Sequence, residues 1–210
     1  WTAARNRGQH EHANIVERAE SIKRTDMACI IYTSGTGGVP KGVMTSHGSI
    51  LHNLAGASAV LNDLDLGLGG DVFLSFLPLS HAYEHTAGQF FPIALGAQIY
   101  YAEGADKLLA NMAEAQPTVI MAVPRLYEMM HSRIVRGVEK QGGTAEKLFR
   151  KTVALGSKAF LAPDTMTLMD KIRNAVLSKL VRKKVAQRFG GRLKAFGSRG
   201  APLNPDTALL

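Results

Sequence analysis

Residues 32–42 read Y-T-S-G-T-G-G-V-P-K-G and follow directly on the apolar run 27–31. The hydroxyls of Thr33, Ser34 and Thr36, with the bare amides around Gly35, Gly37 and Gly38, are what a loop offers to phosphate oxygens. Glycine lets a backbone approach a ligand closely and enter φ > 0. Successive N–H groups can then converge as an anion-binding nest. Lys41 adds a compact positive charge suited to a polyphosphate. The chemistry indicated is the grip of a nucleoside triphosphate.

Spacing separates this loop from two others. A G-x-x-x-x-G-K-[ST] loop needs a glycine before its lysine and a hydroxyl after it. Pro40 and Gly42 occupy those places. A G-x-G-x-x-G loop is matched at Gly35 and Gly37, but Pro40 stands at the third glycine, where it removes a backbone donor.

Residues 76–85, F-L-P-L-S-H-A-Y-E-H, also carry chemistry. His81-x-x-Glu84-His85 puts two imidazoles at i, i+4 with a carboxylate between, the spacing of an inverted zinc-hydrolase motif. Such a site needs a third protein ligand; Glu103, Glu114 and Glu128 are distant carboxylates at hand. The plainer reading of His81 is a helix-start residue without chemistry. Residues 117–128 read as a buried strand entering a helix, with Arg125 and Glu128 in a mutual or capping ion pair. Residues 197–203, G-S-R-G-A-P-L, form a small-residue loop against which a ligand could pack on main chain.

The elements positioning these groups alternate in type. Residues 27–32, 71–77, 97–102, 118–123 and 192–196 read as strands, rich in β-branched and aromatic residues and bounded by turn formers. Residues 46–60, 105–115, 125–139, 145–161 and 165–189 read as helices from apolar spacing. Ser80 is placed to cap a further helix through about residue 91, and Pro124 to open the one that follows it. This alternation predicts an α/β fold, a largely parallel sheet covered by helices. Ligands in such sheets sit at the carboxyl ends of strands. The loops after residues 32, 77 and 196 are therefore expected along one edge.

The chain has 210 residues, 46% of them apolar, enough for a globular core. Residues 1–26 are a polar lead-in and 27–210 the folded portion. The chain starts at Trp1 and stops in what reads as a helix opened by Asn204-Pro205-Asp206, so a piece of a longer protein is expected. The lone cysteine, Cys29, reads as a buried core thiol, which suits a reducing, cytoplasmic setting. The net charge is +8, with cations gathered at Lys171, Arg173, Lys179, Arg182, Lys183, Lys184, Arg188, Arg192 and Lys194. Phe189 is the one aromatic among them, which argues against nucleic acid. A solvated helix face is the plain account. Contact with CoA phosphates, or peripheral contact with the anionic inner face of a membrane, are the others.

The segment 32–42 resembles the phosphate loop of adenylate-forming enzymes, close to Y-T-S-G-T-T-G-x-P-K-G, with Gly37 in place of a threonine. Losing that hydroxyl is expected to weaken ATP binding by roughly 1.5–3 kcal/mol. The segment L-P-L-S-H-x-x-E is similar to one in long-chain fatty acid–CoA ligases, as are residues 117–128. The loop at 197–203 resembles S-G-G-A-P-L, with Arg199 in place of a glycine. The resemblance runs in order from about Asp26 onward. It identifies part of the large N-terminal, AMP-binding domain of such a ligase. It implies a two-step reaction: a fatty acid attacks Mg·ATP to give acyl-AMP and pyrophosphate, and CoA thiol then displaces AMP.

It also implies roles. Thr33, Ser34, Gly35, Thr36, Gly37, Gly38 and Lys41 hold the β- and γ-phosphates. His81 lies beside the acyl carboxylate. Gly200, Ala201 and Pro202 border adenine and the acyl chain. No Y-G-x-T-E segment, source of the family's magnesium glutamate, is present. The resemblance therefore implies that this chain alone turns over no substrate. A non-catalytic nucleotide-binding fragment and the zinc hydrolase remain as alternatives.

Overall fold

The computed structural model describes residues 2–10, 15–34, 38–61 and 70–198, with Pro202, Asn204 and Thr207. The chain divides into two compact units, Trp1–Gly56 and Ala57–Leu210.

The first unit carries helices α1 (Thr2–His10) and α2 (Ile15–Ser21), then strands β1 (Met27–Thr33) and β2 (Lys41–Ser46). The two strands form an antiparallel two-stranded ribbon. Helix α3 (His47–Leu61) starts directly after β2, with the Ser46 hydroxyl accepting from the Ser49 N–H. Gly48 N–H donates to Arg24 O and His47 N–H to Asp26 O, tying the helix start to the turn before β1.

Two expectations change here. β1 was expected as a buried strand of the parallel sheet; it pairs with β2 instead, and Met27, Ile30 and Tyr32 are exposed. A two-stranded ribbon offers no second layer to bury its faces. For the same reason Cys29, expected as a core thiol, is half-buried.

The second unit is built on a parallel sheet of β3 (Val72–Ser75), β4 (Gln98–Tyr101), β5 (Val119–Ala122) and β6 (Ala195–Ser198), in spatial order β4-β3-β5-β6. The α/β class with a largely parallel sheet is as expected. The central strands β3 and β5 are buried at every residue and read as continuous apolar runs, as parallel strands covered on both faces do. Leu74 and Ile120 pack with Leu108 and Met112 of helix α6 (Leu108–Ala115) and with Leu126, Tyr127 and Met130 of helix α7 (Pro124–Gln141). Asp71, nearly fully buried before β3, is met by Lys194 Nζ at 3.1 Å.

Between β3 and β4 the chain forms helix α4 (Ala82–Glu84), a π-helical turn (His85–Phe90) and helix α5 (Phe91–Leu95). Pro92 has no N–H to give to the turn behind it, and that turn is widened. Helix α8 (Gly143–Leu161), a short 3₁₀ turn (Pro163–Thr165) and helix α9 (Leu168–Leu177) follow α7. A capping box of Thr167 and Asp170 opens α9. The single helix expected over 165–189 is broken by a π-helical turn (Ser178–Arg182) before helix α10 (Lys183–Arg188). There Arg182 turns inward, donating to Thr152 O and Asn174 Oδ1.

Candidate functional site

The first group of candidate residues is gathered by the β1–β2 ribbon. Register pairs Thr33 with Lys41, the last residue of β1 with the first of β2. Lys41, expected in a loop, thus has its backbone fixed in a strand while its side chain is exposed. Ser34 is exposed beside it, and Gly38 takes the left-handed conformation with φ +81°. Gly35, Thr36 and Gly37 lie outside the described residues. At this paired end of two antiparallel strands stand the exposed hydroxyls of Thr33 and Ser34 and the exposed ammonium of Lys41.

The second group stands at the carboxyl edge of the parallel sheet. β3 ends at Ser75 and β6 at Ser198, and both strands run the same way beside β5. The loops carrying His81 and residues 197–203 therefore leave the same edge, as expected. Of the latter, Gly200 and Ala201 lie outside the described residues and Pro202 is exposed. The loop after β1 belongs to the ribbon, not to this sheet.

His81, not Ser80, caps α4. Its Nδ1 accepts from the Tyr83 N–H at 3.2 Å. A neutral imidazole whose Nδ1 accepts carries its proton on Nε2. Exposed His81 therefore offers an Nε2–H donor at the sheet edge.

Glu84 is fully buried one turn on. Ser75 Oγ donates to its Oε1 at 2.6 Å and Phe76 N–H donates to the same oxygen at 3.2 Å. Oε2 is buried without a hydrogen-bond partner among the described residues. Burial pushes this carboxyl above the usual carboxylate range, against the opposing hydrogen bonds from Ser75 and Phe76. Glu84 latches the turn that carries His81 to the end of β3.

This geometry separates the zinc-motif residues. His85 stacks edge-on against Phe90 at 4.8 Å, His81 caps a helix, and Glu84 faces Ser75. Among the described residues no three His, Cys, Asp or Glu side chains converge. Arg125 and Glu128, expected as an ion pair, are both exposed and form none among the described residues.

A raised carboxyl has a stability signature. Its folded pKa lies above the unfolded value of 4.5. Stability from the proton is complete below that value and is lost as pH rises through the folded pKa. Glu84→Gln, which removes the titration and keeps the shape, is expected to flatten this decline. Chemical denaturation across the acid-to-neutral range measures it, and parallel curves for wild type and variant would refute the assignment.

Tyr127 was missed in the sequence. Its hydroxyl donates to Gly197 O at 2.6 Å, tying α7 to the end of β6, and burial holds the phenol protonated. Gly197 is required by packing: a Cβ there would overlap the Met121 sulfur and lie 3.2 Å from Tyr83 Oη. A ligand is not needed to explain that glycine.

Behind this edge lies an apolar cavity of about 500 Å³. Tyr127, Met130 and Ile134 of α7, Phe149 and Val153 of α8, and Phe196 line its body, and it reaches Ser198 and Thr207. Arg182 and His131 are its charged or titratable walls.

A family model described as AMP-binding enzyme matches residues 2–209. The chain is 36% identical over 185 residues to a peroxisomal long chain acyl-CoA synthetase 6 of Arabidopsis thaliana, covering 88% of this chain and 25% of that one. It is 34% identical over 197 residues to the Homo sapiens long-chain-fatty-acid–CoA ligase ACSBG2, covering 90% and 28% respectively. The chain thus spans about a quarter of the length of these curated relatives. The solved adenylation domain of a carboxylate reductase from Mycobacterium chelonae aligns with a TM-score of 0.58 at 22% identity, over 88% of this chain and 24% of that one, a likeness of fold.

Proposed function

We propose, from the premise that this chain belongs to the AMP-binding enzyme family, that the protein carrying it is an ATP-dependent long-chain fatty acid–CoA ligase. The observation that carries this reading is the ribbon that sets Thr33 against Lys41 at a glycine-rich connection. The apolar cavity reaching Ser198 supports an acyl chain as its occupant. The two relatives named above are long-chain acyl-CoA ligases by name.

In this reading the hydroxyls of Thr33, Ser34 and Thr36, the amides of Gly35, Gly37 and Gly38, and the Lys41 ammonium hold the β- and γ-phosphates. A carboxylate oxygen of the fatty acid attacks the α-phosphorus. The bond from that phosphorus to pyrophosphate breaks, giving acyl-AMP. The sulfur of CoA then attacks the acyl carbonyl and AMP leaves with the electron pair of the mixed anhydride. This chain's part is positioning and charge neutralisation. His81 Nε2–H faces the carboxylate as its charge passes to the anhydride. Gly200, Ala201 and Pro202 border adenine and the acyl chain. Magnesium accompanies ATP in such chemistry. Residues 33–42 hold no carboxylate for the ion, and their amides and ammonium cannot ligate a cation, so no step is assigned to it.

The test is pyrophosphate release from ATP with palmitate. The protein carrying this chain should release it, and the 210-residue chain alone should bind ATP without turnover. His81→Ala is expected to lower kcat by about 10- to 100-fold with ATP affinity kept. ATP binding without pyrophosphate release by the whole protein, with any fatty acid, would favour the non-catalytic alternative.

A further inference from the structure

We infer that the outward face of α9 and the π-helical turn after it is a docking surface for an anionic lipid bilayer. Leu168, Ile172 and Val176 stand at four-residue spacing, with Met169 and Leu180 beside them, a continuous stripe along one helical side. All five are half or more exposed, from 50% at Val176 to 76% at Leu168. Five large aliphatic side chains in one exposed row are more than scattered surface residues.

Charge says what covers them. Lys171, Arg173, Lys179, Lys183 and Lys184 are exposed along the same stretch and form no ion pair among the described residues. The one carboxylate of the segment, Asp170, is taken by Lys158 at 2.8 Å and by the Thr167 cap. An aliphatic stripe flanked by unpaired cations matches acyl chains lying beneath phosphate headgroups. A protein-binding patch would be expected to hold aromatic anchors, and the stripe has none. No described helix is long and apolar enough to cross a membrane, so the contact lies in the surface plane. The opposite side of the same segment lines the cavity through Val181 and Arg182.

The inference does not depend on the adenylation reading, because vesicle binding is measured without turnover. Cosedimentation should be run for the 210-residue chain and for the protein carrying it. The probes are phosphatidylserine–phosphatidylcholine vesicles and pure phosphatidylcholine vesicles. Binding is expected to the first, to weaken with salt, and to be much lower to the second. The triple variant Lys171→Glu, Lys179→Glu, Lys183→Glu should lose affinity by about fivefold or more per cation. Ile172→Ser with Val176→Ser should also lower binding; both sites are exposed, and circular dichroism checks that the fold persists. Equal binding to both vesicles, unchanged binding by both variants, or binding by the isolated chain but not by the whole protein would overturn the inference. So would a dimer in sedimentation velocity that the apolar variant dissolves, since a second copy would then be the occupant.

Discussion

Lys41→Ala is expected to weaken ATP binding by about 30- to 100-fold, equivalent to roughly 2–3 kcal/mol for a charge-assisted bond lost from a polyphosphate. Lys41 begins β2, and its backbone is held by pairing with Thr33 whatever its side chain. The side chain is exposed, so the substitution should leave the ribbon intact and remove only the proposed phosphate contact. AMP lacks the β- and γ-phosphates, so its affinity should hardly change. Calorimetric titration of both nucleotides makes the comparison. Equal losses for ATP and AMP would place Lys41 away from the terminal phosphates and remove the main support for the phosphate loop.

Gly190→Ala should cost about 3 kcal/mol or more of folding stability. Gly190 has φ +85°, a region where an L side chain costs roughly 1–2 kcal/mol. A Cβ there would stand 2.5 Å from Met112 O and 2.7 Å from Gln116 Cα, both main-chain atoms that no rotamer change can move. At roughly 2–4 °C per kcal/mol for a chain of this size, Tm should fall by about 6–12 °C. Gly191 supplies the control. Its φ is +75°, but its nearest neighbour would be 3.9 Å away, so Gly191→Ala should lose only the backbone strain. Equal losses in calorimetric unfolding would show that crowding against α6 is not what Gly190 avoids. The turn matters because it returns the chain from α10 into β6, and Lys194 N–H then donates to Thr118 O to start the pairing with β5.

Much of the second unit was legible in the residues. Val72–Ser75 and Val119–Ala122 are short apolar runs bounded by turn formers, and each formed a central parallel strand. Pro124 opened its helix as its missing N–H predicts. The β2 strand was hidden because Lys41 and Gly42 look like the exit of a loop, and its short pattern of exposed residues has no core face to mark it. Helix breaks were hidden too. The π-helical turns at His85–Phe90 and Ser178–Arg182 leave apolar spacing nearly unchanged.

Within the candidate site, residue type spoke where the chemistry is local and failed where a partner is distant. His81 was visible from its segment, but that it caps α4 through Nδ1 depends on a turn geometry the segment does not reveal. Glu84 was noticed only as the carboxylate of the zinc-hydrolase alternative; Ser75, nine residues earlier, holds it inward. Tyr127 carried no signal at all, because its acceptor, Gly197 O, lies seventy residues away.

The order of residues alone determined the donors on offer at 32–42, the alternation that makes a parallel sheet, and the family to which the chain belongs. Those follow from short-range rules: side-chain chemistry, backbone preference and periodicity. Which strand β1 pairs with, which carboxyl is buried, and which helical face meets solvent were decided only by tertiary packing. Each depends on what lies across a sheet or behind a helix. Neighbours of that kind are set by desolvation and steric fit between segments far apart in the chain.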